Sequence, residues 1–399
     1  MINGENVLLG VSAGIAAYKS AYLARLLKKA GCNVHVIMTP NAVNFITPLT
    51  FESLTGNKCV VDTFDRNFQF NVEHVALAKL ADAVIIAPAS ADVVGKLACG
   101  IADDMLTTTV MACKCKKIIA PAMNHNMYHN PIVQDNLAKL EKYGFSVIPP
   151  ERGMLANGDM GDGRMPSEQT LFQWVERELS EPKDLSGLRV LVTAGATQES
   201  IDPVRFITNH STGKMGVAVA YAAMLRGAQV TLVKGHTEVD DPPFVKTITA
   251  VSAADMFSAV VSCAEDADII IKAAAVADYR PVQAADHKLK KGDNDMTIQL
   301  ARTRDILAYL GEHKHKGQIL CGFSMETENL VENSRGKLKR KNLDIIAANS
   351  LKTEGAGFGT DTNVLTIITP NKVKELEKMS KTDAANALLD EIITLKNGE

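Results

Sequence analysis

The sequence predicts an α/β protein built from two doubly wound, Rossmann-like domains. At 399 residues the chain is too long for one hydrophobic core. A pattern of strand, glycine turn, helix, glycine and strand opens the chain, and the same pattern begins again after residue 187. Each pattern is a βαβ unit, and such units build parallel sheets.

The first half begins NVLLGVSAGIAAYKSAYLARLLKKAGCNVHVIMTP. A short apolar run at 7–9 predicts a strand, and apolar residues from 15 to 27 recur at helical spacing until Gly31 ends the helix. The segment NVHVIMTP then predicts a second buried strand.

The second half repeats this order in GLRVLVTAGATQES and MGVAVAYAAMLRGAQVTLVKG, with the loop DPVRFITNHSTGKMG inserted before the helix. Later segments also correspond, since ADAVIIAPASAD resembles ADIIIKAAAVAD in pattern. Between the halves, ELSEPKDLSG at 178–187 is charged and lacks periodicity, which is typical of a linker. We therefore expect domains at 1–180 and 187–399.

The composition excludes several classes of protein. A net charge of −3 gives no electrostatic reason to expect nucleic acid or an acidic membrane as partner. Seven cysteines spread along the chain do not resemble a disulfide framework, so a reducing cytoplasm is expected. The N-terminus has Glu5 instead of a basic region, and no apolar run reaches the roughly 20 residues of a membrane helix. The sequence thus predicts a cytoplasmic protein without a signal peptide.

The inserted loop ends in Gly213-Lys214, as a nucleotide-binding loop does, but it is not a P-loop. A P-loop needs a glycine five residues before the Gly-Lys pair and a hydroxyl residue directly after the lysine. Thr208 and Met215 occupy these positions. Another function must explain the concentration of polar side chains in this loop.

Three predicted strand ends in the first half carry hydroxyl groups: Ser12, Thr39 and Ser90. In open parallel sheets ligands bind beyond these ends, and the turn containing Ser12 and Gly14 precedes a helix N-terminus that favours an anion. The third glycine of a dinucleotide fingerprint is missing, and no acidic residue ends the second strand. The pattern therefore favours a mononucleotide such as FMN over NAD.

Two more segments suggest chemistry. His74 lies in the apolar stretch VEHVALAK, where a structural histidine is the commoner alternative to a catalytic one. Asn124 directly follows a predicted strand, and its neutral amide can bind a carboxylate. His125 and His129 have the i,i+4 spacing of a metal pair, but no third ligand accompanies them, so a metal site is not favoured.

These motifs resemble those of a known family. The first half is similar to FMN-dependent cysteine decarboxylases in GVSAGIAAYK, MTPNAVNFITPLTFESLTG, EHVALAKLADAVIIAPASAD and PAMNHNMY. The second half is similar to phosphopantothenate–cysteine ligases in TAGATQESIDPVRFITNHSTGKMG and AAVADYRP. Together they resemble the bacterial bifunctional phosphopantothenoylcysteine decarboxylase/phosphopantothenate–cysteine ligases of coenzyme A biosynthesis. The resemblance implies a flavodoxin-like flavoprotein domain followed by a nucleotide-binding ligase domain.

For the decarboxylase, the resemblance implies FMN as cofactor, His74 as the catalytic histidine and Asn124 as the residue that holds the substrate carboxylate. The family commonly has cysteine in an ACGD motif on a flap, where it protonates the ene-thiolate intermediate. This chain reads GMLANGDMGDGRMP and has Asn157 at that position. An amide is not a useful acid, and loss of a positioned proton donor typically slows a reaction by a factor on the order of 10²–10⁴.

For the ligase, the resemblance implies CTP as co-substrate, with Asn209 assisting cysteine attack and Lys288 required for activation. The planar guanidinium of Arg205 suits a phosphate or carboxylate, so we expect it near an anionic group. The matched nucleotide-binding positions are Ala273, Ala274, Asp278, Lys288, Asp305, Ile306, Phe323, Lys337 and Lys341. Because Lys337 and Lys341 are four residues apart, they are expected to face one phosphate group. Mg²⁺ is expected with the triphosphate, and Asp278 is only a candidate among its ligands.

The resemblance thus implies conversion of 4′-phosphopantothenate, cysteine and CTP, all small molecules, into 4′-phosphopantetheine. One alternative is an active ligase whose decarboxylase domain, impaired by Asn157, serves as an FMN-binding oligomerisation module. Another is a regulatory flavoprotein acting on a phosphatase, which the intact ligase half disfavours. A homo-oligomer is expected, with a dodecamer as the family assembly.

Overall fold

The computed structural model describes residues 2, 4–64, 72–155, 158–291, 296–326, 328–350, 357 and 359–398. The chain separates into two compact units, Met1–Glu181 and Pro182–Glu399. No helix among the described residues is long and apolar enough to cross a membrane.

The first unit contains a parallel sheet that, over its described residues, has six strands in the order β3-β2-β1-β4-β5-β6. They are β1 (Asn6–Val11), β2 (Asn33–Met38), β3 (Cys59–Val60), β4 (Ala83–Ala89), β5 (Lys116–Pro121) and β6 (Phe145–Val147). The connecting helices are α1 (Ala17–Lys29), α2 (Pro48–Thr55), α3 (Glu73–Leu80), α4 (Ala91–Cys99), α5 (Met105–Ala112), α6 (His125–Tyr128), α7 (Pro131–Lys142) and α8 (Glu168–Leu179), with a 3₁₀ helix at Pro40–Asn44. A separate antiparallel hairpin is formed by β7 (Glu151–Met154) and β8 (Met160–Arg164).

Helices cover both faces of this sheet, because both sides of its strands are apolar. In β1, Val7, Leu9 and Val11 belong to one core cluster, while Leu8 belongs to the cluster on the opposite face. Alternate residues of a strand point to opposite faces, so two buried clusters require two helical layers. The prediction of a doubly wound domain is confirmed.

The second unit begins with β9 (Arg189–Ala194). The strands that follow are β10 (Gln198–Ser200), β11 (Phe206–Thr208), β12 (Gln229–Lys234), β13 (Lys246–Thr249), β14 (Ile269–Lys272), β15 (Tyr279–Pro281), β16 (Leu300–Arg302), β17 (Ile319–Glu326), β18 (Ile345–Ser350), β19 (Thr362–Asn363), β20 (Thr366–Ile368), β21 (Val373–Glu375) and β22 (Met379–Ser380). Its helices are α9 (Lys214–Leu225), α10 (Ala253–Ala264), α11 (Ile306–His313), α12 (Leu330–Arg340) and α13 (Lys381–Asn397).

The main sheet of the second unit repeats the strand order of the first. Its order is β13-β12-β9-β14-β17-β18-β20-β21. The first six strands are parallel, β20 pairs antiparallel with β18, and β21 pairs antiparallel with β20. Both units therefore have the 3-2-1-4-5-6 order of a Rossmann sheet; flavodoxin has the order 2-1-3-4-5, so the structure refines that detail of the prediction. The strand order reverses between β1 and β4 and again between β9 and β14, and ligands bind at such switch points.

Arg226, directly after α9, ties three parts of the second unit together. Its guanidinium donates to both carboxylate oxygens of Asp184 at 2.8 and 2.5 Å, and to Asp390 of α13 at 2.7 Å. Only 7% of the Arg226 side chain is exposed. The buried Arg226 guanidinium thus links the segment that begins the second unit to α9 and to the final helix, α13.

We expect Arg226→Met to destabilise the second unit by about 2–3 kcal/mol, less than a fully buried pair because Asp390 is exposed. Arg189→Met is the matched control, since its pair with Asp266 is exposed on both sides and is expected to be worth less than about 1 kcal/mol. Urea unfolding of both variants measures the difference. Equal losses in the two variants would contradict a special role for Arg226.

Candidate active sites

Ser12 joins the ends of β1 and β4 at the first switch point. Its Oγ donates to the Pro88 carbonyl at 2.9 Å and accepts from the Ser90 amide at 2.8 Å. The Ser12 side chain is fully buried. The hydroxyl predicted to contact a ligand is therefore engaged inside the protein, and it holds the two strand ends together.

Thr39 and the first turn of α1 form an open polar edge beside these strand ends. The Thr39 amide donates to the Val11 carbonyl at 3.0 Å, but its buried Oγ1 has no hydrogen-bond partner among the described residues. An unpaired buried hydroxyl costs about 1–3 kcal/mol, which a ligand acceptor or donor would recover. No described side chain caps α1, and a Cβ on Gly14 would meet nothing within 4 Å. This edge fits the phosphate and polar groups of a mononucleotide.

Ser90 and Asn124 each begin a helix after a strand of the same sheet. Ser90 caps α4, and its Oγ accepts from the Val93 amide at 3.4 Å. Asn124 caps α6, and its Oδ1 accepts from the Asn126 amide at 2.9 Å. Capping uses only the oxygen of the Asn124 amide, so the NH₂ group is available to donate to a carboxylate.

His74 is the second residue of α3, and its side chain is partly exposed. Within the described part of the chain it forms no hydrogen bond to the other predicted residues of this edge. Residues 65–71, which precede α3, are outside the described residues. No hydrogen bond joins His74 to Asn124 among the described residues, and the catalytic role of His74 stays a prediction.

The β7–β8 hairpin is anchored on the segment that carries Asn124. The Met123 amide donates to the Gly163 carbonyl at 3.0 Å, and the Asp162 amide donates to His125 Nδ1 at 3.1 Å. Gly163 has a φ of 124°, and a Cβ at this position would collide with the Met123 carbonyl. Glycine is therefore required for the hairpin to approach the strand end.

The tip of this hairpin is closed by two backbone bonds, from Leu155 to Asp159 at 2.8 Å and from Gly158 to Leu155 at 2.9 Å. Asn157, the predicted replacement for the family's acid, lies outside the described residues. The hairpin also brings Asp162 to His129, with 2.9 Å between the carboxylate oxygen and Nε2. The expectation that His125 and His129 lack a third ligand is therefore wrong, because the hairpin supplies one from 33 residues away.

The second unit has a pocket lined by the segment that follows β14 and by residues 323–325 of β17. Among the predicted nucleotide-binding residues, Ala273, Ala274 and Phe323 line it. The first turn of α9 also lines it. The α9 N-cap, Gly213, has a φ of 76°, and a Cβ on Gly216 would be 2.6 Å from the Ala194 Cβ. These glycines let the positive end of α9 reach the strand edge, where an anion is favoured.

Asn209 lies directly after β11, and its Nδ2 donates to the Ala275 carbonyl at 3.1 Å. This bond places the Asn209 amide beside the pocket, because Ala275 is a lining residue. Asn209 thus lies next to the segment that carries Ala273 and Ala274, and its role in cysteine attack stays a prediction.

Arg205 was expected beside a ligand anion, but its partner is internal. Its Nε and Nη2 donate to Asp202 Oδ2 at 3.0 and 2.6 Å, and Nη2 also donates to the Leu289 carbonyl at 2.9 Å. The Leu289 amide in turn donates to Asp202 at 3.1 Å. The Arg205 contact holds the pKa of Asp202 well below its ordinary value. The pair thus fixes the backbone next to Lys288, whose own side chain is exposed.

Four charged groups lie together near the N-terminus of α11. Asp305 caps this helix with Oδ1, and its Oδ2 lies 2.8 Å from the Lys341 ammonium. The pKa of Lys272 is lowered to about 8, mainly by burial and also by the nearby Lys341 ammonium, while Asp305 and Asp278 act in the opposite direction. This cluster places two cations and two carboxylates at the predicted nucleotide edge.

Lys337 and Lys341 contact different groups. Lys337 donates to Glu326 at 2.6 Å and to Ser324 at 3.0 Å, whereas Lys341 lies beyond the end of α12 and pairs with Asp305. Each lysine is paired with a different carboxylate here, and their convergence on one phosphate group stays a prediction. The side chain of Ile306 is buried in the core, so only its backbone is available to a nucleotide.

Sequence reasoning missed Asp202, Lys272 and Lys381. Asp202 begins the quoted loop, and Lys272 is the charged end of an isoleucine strand, so both could have been found from their positions. Lys381 starts the last helix, lines the pocket and donates to the carbonyl groups of Gly357 and Thr362 at 3.4 and 3.2 Å. No motif near Lys381 indicates this position.

Two protein families match the two halves of the chain. The Flavoprotein family matches residues 1–180, and the family "DNA/pantothenate metabolism flavoprotein C-terminal domain" matches residues 185–395. The fold and the two polar edges therefore define a flavoprotein joined to a pantothenate-metabolism domain.

Curated relatives match over nearly the full length. The coenzyme A biosynthesis bifunctional protein CoaBC of Bacillus subtilis is 48% identical over 99% of this chain and 98% of that protein. The CoaBC proteins of Haemophilus influenzae and Escherichia coli are 43% and 40% identical, each over 98% of this chain and over 98% and 97% of their own lengths. The chain belongs to this family of bifunctional coenzyme A biosynthesis proteins.

Solved structures show partial similarity. The C-terminal domain of a CoaBC protein is 41% identical, with a TM-score of 0.47, over 55% of this chain and 100% of that one. The FMN-dependent cysteine decarboxylase SpaF is 34% identical, with a TM-score of 0.37, over 40% of this chain and 90% of that one.

We expect Thr39→Val to weaken FMN binding about 2- to 10-fold, the value of one hydrogen bond of about 0.5–1.5 kcal/mol. The same change is expected to stabilise the flavin-free protein, because it removes an unpaired buried hydroxyl. Fluorescence titration with FMN and thermal unfolding without it measure the two effects.

Thr55→Val is the matched control. The buried Thr55 hydroxyl donates to the Phe51 carbonyl at 2.9 Å, so its loss should destabilise the protein without changing FMN affinity. If Thr39→Val also lowers the stability of the flavin-free protein, the assignment of its hydroxyl to a ligand is wrong.

Proposed function

We propose that this chain catalyses two reactions of coenzyme A biosynthesis: ligation of cysteine to 4′-phosphopantothenate with CTP, and FMN-dependent decarboxylation of the product to 4′-phosphopantetheine. The observation that carries the proposal is the pairing, in one chain, of two doubly wound units with separate polar edges at their switch points. Full-length similarity to bifunctional relatives supports it.

The first unit binds FMN in this proposal along Ser12, Gly14, Thr39 and Ser90. Backbone amides in the first turn of α1, which no side chain caps, donate to the FMN phosphate. The Thr39 hydroxyl, which has no partner within the described protein, forms a hydrogen bond to FMN. Bound FMN supplies the two-electron chemistry that makes loss of carbon dioxide possible. Ser12 keeps the two strand ends in register for this contact.

Asn124 and His74 act on the substrate. The NH₂ group of Asn124 donates to the substrate carboxylate, and as a neutral group it does not hold the carboxylate against leaving as carbon dioxide. His74 moves the proton of the substrate thiol, for which an imidazole suits neutral pH. The hairpin anchored beside Asn124 covers the substrate and excludes water.

The second unit forms the amide in two balanced steps. A carboxylate oxygen of 4′-phosphopantothenate attacks the α-phosphorus of CTP, and pyrophosphate leaves. The cysteine amine then attacks the acyl carbon and loses a proton as CMP leaves. Asn209, held beside Ala275, donates to the oxygen that gains charge in the second step, and Lys288 offsets charge on the departing pyrophosphate.

CTP binds along the nucleotide-binding residues of this unit: Ala273, Ala274, Asp278, Lys288, Asp305, Ile306, Phe323, Lys337 and Lys341. Mg²⁺ enters with the triphosphate, and Asp278 is the candidate protein ligand. In the described ranges no three histidine, cysteine or carboxylate ligands cluster at this edge. That arrangement suits an ion held mainly by phosphate oxygens and water.

We also propose a cytoplasmic homo-oligomer, with the dodecamer as the expected assembly. All seven cysteines are free thiols, as in a reducing compartment. In the first unit, Ile15, Tyr18 and Tyr22 are exposed on and before α1. Phe45 and Leu49 are exposed before and at the start of α2, which contacts α1. Apolar side chains grouped in this way are typical of a subunit contact. Light scattering coupled to gel filtration measures the assembly.

The test of the function is mass analysis of products from 4′-phosphopantothenate, cysteine, CTP and Mg²⁺. The wild-type chain should release 4′-phosphopantetheine, carbon dioxide, CMP and pyrophosphate. Asn209→Ala should slow ligation on the order of 10²-fold or more, and Asn124→Ala should accumulate 4′-phosphopantothenoylcysteine. Absence of CTP-dependent pyrophosphate release from the wild-type protein would overturn the ligase assignment.

The same assay separates the alternative of an active ligase with an impaired decarboxylase. That alternative depends on Asn157 alone, which lies outside the described residues. Accumulation of 4′-phosphopantothenoylcysteine, or of a product two hydrogens short of 4′-phosphopantetheine, by the wild-type chain would favour it. Full conversion would show that another group supplies the proton.

We expect CTP binding to be coupled to the protonation of Lys272. With a pKa of about 8 its ammonium is half-protonated at pH 8, and a triphosphate raises that pKa, so binding should take up about half a proton. Calorimetry in buffers of different ionisation enthalpy measures the uptake, which Lys272→Met should abolish. Lys290→Met, which removes an exposed lysine, is the control and should keep it. Equal uptake in both variants would contradict the role of Lys272.

A further inference from the structure

His125, His129 and Asp162 form a cluster that neither proposed reaction uses. One ring nitrogen of each histidine and one carboxylate oxygen of Asp162 lie within 4.8 Å of one another. His125 is the first residue of α6, His129 follows the end of that helix, and Asp162 lies in β8. The cluster therefore joins a helix to the hairpin packed beside it.

Local structure already orients these side chains. The His129 amide donates to the His125 carbonyl at 3.0 Å, and this helical spacing puts the two rings on one side, with 4.4 Å between their centroids. His129 Nε2 lies 2.9 Å from Asp162 Oδ2, and the Asp162 amide donates to His125 Nδ1 at 3.1 Å. The three groups are held together before any ion binds.

We propose that His125, His129 and Asp162 bind a divalent transition-metal ion of the Zn²⁺ type. Imidazole nitrogen and carboxylate oxygen are ligands that Zn²⁺ takes at about 2.0–2.2 Å. Tetrahedral bonds of that length separate donors by about 3.4 Å, so donors within 4.8 Å of one another need to approach by at most about 1.4 Å. Water completes the coordination.

Solvent reaches the cluster directly. The side chains of His129 and Asp162 are 48% and 37% exposed, so the ion enters without unfolding of the hairpin. Binding replaces the His129–Asp162 contact and competes with the Asp162 amide for His125. These two hydrogen bonds are exchanged for three metal–ligand bonds, which is favourable for neutral imidazoles and an ionised carboxylate.

A bound ion strengthens the attachment of β8 to α6. Without the ion, the hairpin is anchored here by the Met123–Gly163 backbone bond and by the contacts of Asp162. Asn124 caps α6 directly before His125, so the metal site lies next to the proposed substrate-carboxylate contact. The ion therefore restrains the hairpin beside the decarboxylase site.

The experiment is calorimetric titration of the chelator-stripped, full-length chain with Zn²⁺. The wild-type protein should bind one equivalent of Zn²⁺ per chain. The His129→Gln and Asp162→Asn variants should each lose this binding. The control His313→Gln/His315→Gln removes two exposed histidines of the second unit and should keep it. Circular dichroism checks that the variants fold.

Two further measurements keep the result specific. Co²⁺ in place of Zn²⁺ should show no intense thiolate absorption, which separates this site from the free cysteines. Zn²⁺ should slow amide-hydrogen exchange in residues 160–164 at least several-fold in the wild-type protein and not in Asp162→Asn. Absence of a saturable equivalent, or an equivalent retained in both site variants, would overturn the proposal.

Discussion

The architecture depends on the burial of both faces of two parallel sheets. Val7 and Leu8 are adjacent residues of β1, yet they belong to cores on opposite sides of the sheet, and Val190 and Leu191 repeat this in β9. Strands buried on both faces leave no room for polar chemistry along their length. Chemistry is possible only where the strands end, and parallel strands end at one edge. The two active sites follow from this constraint.

At both edges the chain uses polar side chains to position other groups before any ligand arrives. Ser12 fixes the ends of β1 and β4, and Arg205 with Asp202 fixes the backbone beside Lys288. Side chains that could bind an anion therefore form hydrogen bonds within the protein instead. At the first edge, the described groups without a partner include the Thr39 hydroxyl and the NH₂ group of Asn124, which are neutral and therefore less costly to leave unpaired than a buried charge.

Sequence periodicity was sufficient to predict two βαβ-based domains, because strand and helix periods are local properties. The strand ends at Ser12, Thr39, Ser90 and Asn124 followed from the same reasoning. The third member of the His125–His129 cluster could not be predicted, since Asp162 reaches it only through the folding of a hairpin. The pairing of Lys337 and Lys341 with two different carboxylates could not be predicted either. It depends on where α12 ends and on which carboxylates lie opposite the two lysines.

The pairing of Lys337 with Glu326 and of Lys341 with Asp305 has a consequence for turnover. In the function that we propose, both lysines bind the triphosphate of CTP, so its phosphate groups must compete with two carboxylates of the protein itself. A polyanion can replace both carboxylates, because it carries enough charge to pair with both lysines. A single phosphate group carries less charge and therefore competes less well with the carboxylates. In that proposal, Glu326 and Asp305 pair with the lysines again as the products leave, which favours product release over product retention.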